Sequence, residues 1–121
     1  MKYYLLLISL LLTVSCRNNT KKEKKLIVGT GNDVVVTLKV ADNKNIEEIG
    51  FYSNGNSVSI YKKDIISYNI FVYHFDNKGE GTFKTCIYKL NDTICVESYV
   101  EQGYSPKMEF VNDSLIITKP F

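Results

Sequence analysis

The sequence predicts a small all-β domain: an antiparallel meander of about seven to eight strands, forming an open sheet or a small barrel or sandwich. Three observations carry this. The chain has nine Tyr, no Trp and two Pro, with Val and Ile recurring in short runs, a composition suited to half-buried pleated strands. No window shows a sustained 3.6-residue apolar period, so little or no helix is expected. Alternating runs of a few residues are separated by Asn, Asp and Gly, the residues that tight turns demand.

The strands follow in order. Val34, Val36, Leu38 and Val40 alternate with Val35, Thr37 and Lys39, which gives one apolar face. Ile49 to Ile60 is the clearest hairpin. Asn54-Gly55 suits a type I′ turn, whose two central residues have positive φ. That turn sets Phe51 opposite Val58, Ile49 opposite Ile60, Glu48 opposite Tyr61 and Glu47 opposite Lys62. A slip of one residue would turn these apolar pairs outward, so the register is well specified. Ile65 to Phe75 is apolar on both faces, with Ile70 and Val72 on one and Phe71, Tyr73 and Phe75 on the other, which predicts a central strand. Asp76 to Gly79 reads as a type I turn with a bulge, leading back through Thr82 to Leu90. Thr93 to Val100 places Ile94, Val96 and Val100 on one side. A last turn at Asn112-Asp113 pairs Phe110 with Leu115 and Met108 with Ile117. Every link suits an antiparallel meander, and none is long enough for a parallel crossover helix.

Gly55, Gly79 and Gly103 recur at equal spacing, each with an aromatic residue four positions earlier (Phe51, Phe75 and Tyr99). The stretch FYSNG resembles the Tyr-x-Asn-Gly element of MORN-type repeat proteins, and GEGTF (Gly79 to Phe83) resembles their Gly-x-Gly-x-aromatic element. That resemblance implies hairpins stacked into an open sheet and a protein-interaction or membrane-proximal scaffold.

The amino terminus has a different character. MKYYLLLISLLLTVSC offers one Lys and then an apolar run from Leu5 to Leu12, too short to span a bilayer and suited to a secretory signal over residues 1–15. Thr13-Val14-Ser15-Cys16 resembles the lipobox of bacterial lipoproteins, although Thr13 stands where Leu is usual. The resemblance implies that Cys16 becomes the new amino terminus and carries acyl chains such as palmitate, enough for stable anchoring. Residues 16–25 then form the lipidated cysteine and a flexible basic tether, and residues 26–121 a single domain. The charge divides the same way. Residues 17–25 hold five basic groups and one Glu, whereas residues 26–121 hold nine Lys against twelve Asp or Glu. The domain gives no electrostatic reason to expect nucleic acid. Some lipoproteins carry an acidic export signal after the cysteine, and RNNTKKEKK is opposite in charge. By that likeness the protein is expected on the outer membrane, facing the periplasm.

With Cys16 acylated, Cys86 and Cys95 remain as a candidate disulfide in an oxidising compartment. A turn centred on Asn91-Asp92 makes them diagonal neighbours, about 7–8 Å apart and out of bonding range. A turn centred on Leu90-Asn91 sets them directly opposite, but Leu tolerates positive φ poorly. No metal site is expected, because no further Cys or His lies near in sequence. His74, the single histidine, has no nucleophile motif around it, and neither an enzyme nor a cofactor is expected. Tyr52, Tyr61, Tyr73, Tyr88 and Tyr99 make a candidate contact surface. The function these features favour is a membrane-anchored binding or structural module, with the bilayer and another envelope protein as partners. The alternative is a small β-barrel that binds a small ligand or inhibits a periplasmic enzyme.

Overall fold

The computed structural model describes residues 22–121, so the signal segment, Cys16 and most of the tether lie outside the described residues. Among the described residues nine strands are present: β1 (Lys25–Thr30), β2 (Val34–Val40), β3 (Ile46–Ser53), β4 (Asn56–Tyr61), β5 (Ile70–Phe75), β6 (Glu80–Lys89), β7 (Thr93–Glu101), β8 (Lys107–Val111) and β9 (Ser114–Lys119). One helical turn, α1 (Lys62–Ile65), follows β4. The all-β class holds. The strands form two sheets, and neither closes into a barrel. A mixed sheet has the order β1-β5-β2-β8-β9, and an antiparallel sheet has the order β4-β3-β6-β7.

The simple meander gives way to this arrangement. Sequence neighbours pair only at β3–β4, β6–β7 and β8–β9, while β1 runs parallel to β5 and β2 parallel to β8. A parallel pair needs a long crossover. Here the crossover from β1 to β5 passes through strands of both sheets and α1 instead of through a long helix. The expected hairpin at residues 76–79 does not form, because β5 and β6 belong to different sheets and these residues carry the chain between them. Gly79 (φ 79°) and Gly103 (φ 92°) supply positive φ at two such crossings, and Gly55 (φ 78°) does so in the β3–β4 hairpin.

Where turns are tight, the register is as expected. Phe51 faces Val58, Ile49 faces Ile60 and Glu48 faces Tyr61. Phe110 faces Leu115 and Met108 faces Ile117 across a turn with positive φ at both Asn112 and Asp113. Lys62 Nζ lies 3.3 Å from Glu47 Oε1. A bulge between Ile46 and Glu48 lets Ile46 and Ile49 both face inward although their numbers differ in parity.

The two sheets share one core. Val34, Val36, Leu38, Phe71, Tyr73 and Met108 come from the mixed sheet, and Ile49, Phe51, Phe83 and Ile87 from the antiparallel sheet. Phe51 stacks on Tyr73 across the gap, with ring centroids 5.1 Å apart and planes 13° from parallel. Inner strand β5 is buried on both faces, as its sequence predicts. Ile65, expected in a strand, instead sits in α1 and plugs one end of the core, fully buried. At the opposite end Asn77 laces the crossings together. Its backbone N–H donates to Asp33 Oδ2 at 3.0 Å, its amide donates to the Gly79 carbonyl at 2.9 Å, and its Oδ1 accepts from Asn54 at 2.6 Å. Thr85 is buried in the core with its hydroxyl unpartnered.

Candidate functional site

The outer face of the antiparallel sheet gathers most of the residues singled out in the sequence. Register places Tyr52 beside Lys84, Gly50 beside Cys86, and Glu48 beside Tyr88. Cys86 lies directly opposite Cys95 and is bonded to it, with Cα atoms 4.1 Å apart. The Leu90-Asn91 turn is therefore the one used. The objection to Leu falls away because Leu90, Asn91 and Asp92 all keep negative φ, and Lys89 N–H bonds the Asp92 carbonyl at 2.8 Å. That bond marks Lys89 and Asp92 as a hydrogen-bonded pair. Counting back by alternation makes Cys86–Cys95 a non-hydrogen-bonded pair, the closer kind.

Gly50 is the residue that shapes this face. A side chain there would place its first carbon 2.6 Å from the Tyr52 hydroxyl, so only glycine lets the Tyr52 ring fold down onto the sheet. Tyr52 and Tyr88 reach toward each other from rows on either side of Gly50, and their hydroxyls meet at 2.6 Å. Lys84 Nζ stands over the Tyr52 ring, 5.1 Å from its centre. The hydrogen bond with Tyr88, then burial and the nearby Glu48 carboxylate, push the Tyr52 hydroxyl up to about 12. A raised value means that the fold favours the neutral hydroxyl. The advantage is full below the free-tyrosine value and is lost as pH rises through about 12.

Beside this pair lies a shallow open groove of about 420 Å³, lined by Tyr52, Ser57, Thr82, Lys84, Glu97 and the β3–β4 turn. Tyr61 is 60% exposed on edge strand β4, next to Glu48 on the same face. Tyr99 is exposed at the far edge of β7 and donates its hydroxyl to Glu101, which raises its pKa. Tyr104 lies edge-on to it at 6.2 Å. Tyr73 is a correction. It is 1% exposed, faces the core and bonds Ser53 Oγ at 2.6 Å, so it takes no part in a contact surface. Position parity separates it from the others: with Phe71 and Phe75 it forms the inward row of β5.

Sequence reasoning passed over Gly50 and Lys84. The signal for Gly50 was an isolated glycine inside a strand, between Ile49 and Phe51. The signal for Lys84 was its parity with Cys86 and Tyr88. His74 lies on the outer face of β5, with Nδ1 3.3 Å from the Gly31 carbonyl. Compared with known protein families, curated proteins and solved structures, the chain finds no match.

Proposed function

We propose that this chain is a lipid-anchored binding module of the bacterial cell envelope. Acylated Cys16 holds it on the outer membrane facing the periplasm, and the outer face of the antiparallel sheet contacts another envelope protein. The observation that carries the reading is the Tyr52–Tyr88 pair, laid flat over Gly50, capped by Lys84 and braced by the Cys86–Cys95 bond in the adjoining row. Tyrosines held in one conformation lose little entropy on association, and aromatic residues dominate interface energetics. The core between the sheets is filled by Phe51, Phe71, Tyr73 and Phe83, so nothing inside it favours the alternative of a barrel around a small ligand.

The test is capture from membranes with the tagged, processed protein. Replacing Tyr52 and Tyr88 together by Ser should weaken capture of its partner by roughly thirtyfold or more, the scale of an interface hot spot near 2 kcal/mol. Cys16→Ser should release the chain from the membrane fraction. Capture that survives the double replacement, in a variant with normal melting, refutes the contact surface. Unchanged membrane partition of Cys16→Ser refutes the anchor.

A further inference from the structure

Four strands have one side unpaired: β1 and β9 at the edges of the mixed sheet, and β4 and β7 at the edges of the antiparallel sheet. Such an edge presents N–H and C=O groups that another strand can take up. In β1 the residues that do so can be named. The Lys24 carbonyl accepts the Ile70 N–H at 3.1 Å, and Lys25 is the register partner of Ile70. Bonding groups alternate along a parallel ladder. Leu26 and Val28 therefore turn theirs to β5, while Lys25, Ile27 and Gly29 turn theirs away from it. Among the described residues no strand takes these up.

The side chains alternate in the same way. Leu26 and Val28 pack against the core, whereas Ile27 stands on the outer face, 63% exposed. The chain just before β1 cannot cover it, because Arg17 to Lys22 read RNNTKK and hold no apolar residue. A second β1 can. Two copies of KLIVGT, run antiparallel about a two-fold axis at Ile27, set Ile27 opposite Ile27, Leu26 opposite Val28 and Lys25 opposite Gly29. The outward N–H and C=O groups of each Ile27 then bond those of the other. The Leu26–Val28 pairs continue the inner row, and the two Ile27 side chains cover each other on the outer face. No like charges stand opposed. A slip of one residue would set inner side chains against outer ones, so the register is fixed. Gly29, with φ 82°, ends the extended run and limits the pairing to these residues.

The other edges lack this match. Full overlap of β7 with its own copy sets Glu97 opposite Glu97. Strand β9 lies beside β7 at its own edge. Strand β4 puts Ser57 and Ser59 on its outer face, small polar groups that gain little from being covered. We infer that β1 is a self-pairing edge, through which two copies of this chain join their five-stranded sheets into one continuous sheet. Six residues of edge bury less than the roughly 1,200–2,000 Å² of a stable interface, so the pairing is weak and is lost on dilution. The two-fold axis runs normal to the sheets. Both Tyr52–Tyr88 pairs then face the same way, and a partner with repeated sites meets two of them at once.

The test reads single amides by hydrogen exchange in the purified, processed chain over a range of concentrations. The Leu26 and Val28 amides, bonded to β5, should be protected throughout. The Ile27 amide should exchange freely in dilute protein and become protected as the protein is concentrated. Ile27→Lys sets two ammonium groups against each other across the axis. It should weaken self-association by about tenfold or more, with unchanged melting because the side chain already stands in water. Ile27→Cys should link two copies on oxidation of the two thiols, where Ile116→Cys on β9 does not. An Ile27 amide that exchanges at one rate at every concentration overturns the pairing, whatever the variants do. So does linking at position 116 that matches linking at position 27, which marks collision and not a register. Protection of Ile27 that appears only when another envelope protein is added also overturns it, and assigns the edge to a foreign strand.

Discussion

The two sheets are specified in different ways. In the antiparallel sheet two of the three strand pairings are closed by tight turns, at Asn54-Gly55 and at Leu90-Asn91. In the mixed sheet only β8–β9 is closed by a tight turn. Lys25 pairs with Ile70, 45 positions on, and Thr37 with Lys107, 70 positions on. Turn chemistry writes the first sheet locally. The second is assembled from distant segments whose shared property is an apolar row, and it takes its order from the face it has to cover. They differ at the surface as well: the antiparallel sheet presents a rigid polar and aromatic face, while the mixed sheet takes in the amino-terminal strand β1 at its edge.

The largest expected effect tests whether the mixed sheet depends on its partner. Phe51→Ala removes the ring on which Tyr73 stacks and should cost about 3–5 kcal/mol, a large share of the roughly 5–15 kcal/mol that holds such a domain together. Hydrogen exchange should show amides of both sheets losing protection together. Continued protection of β1, β2 and β5 after loss of the antiparallel sheet would break the comparison. The same substitution at two glycines sharpens it. Gly29 in β1 has φ 82°, and an added carbon would lie 2.3 Å from the His74 carbonyl oxygen, whereas Gly55 has φ 78° and open space around it. Gly29→Ala should cost roughly 2–4 kcal/mol and Gly55→Ala about 1 kcal/mol in denaturant unfolding, the difference being the clash.

Removing the disulfide acts on the locally written sheet alone. Replacing Cys86 and Cys95 by Ala opens a loop of ten residues and should cost about 2–3 kcal/mol in the chain-entropy model, with strand content retained by circular dichroism. Thr85→Val should move the other way. It replaces a buried, unpartnered hydroxyl with a methyl group, and a gain of about 1 kcal/mol is expected from the shift in the unfolding midpoint. The smallest effect is at Glu47 and Lys62, both well exposed. Lys62→Met should change stability by roughly 0.2–1 kcal/mol, and less at high salt.

What was legible follows the same division. The hairpins at Asn54-Gly55 and Asn112-Asp113, the Glu47–Lys62 pair, the inward row of β2 and the doubly buried β5 could all be read, because each depends on periodicity or on a turn within a dozen residues. The split into two sheets was not legible. Asp76 to Gly79 has turn chemistry whether it closes a hairpin or crosses between sheets, and nothing local distinguishes the two. Strand β1 was hidden for a related reason: Lys25-Leu26-Ile27-Val28 sits against a run of lysines, and its partner lies far down the chain. At the site, Tyr73 was placed on a surface because its depth in the core depends on the facing sheet. The disulfide register depended on a turn that reverses the chain without positive φ, an option that composition does not announce.

The parallel pairing of β1 with β5 has a mechanical meaning. A pull on the chain at Lys24 acts along the axis of β1, and six register pairs join that strand to β5. Such a load is a shear, shared by the whole ladder at once. A load at right angles would peel the strand away one pair at a time. A domain pulled by its amino-terminal segment thus meets the force along its strongest direction.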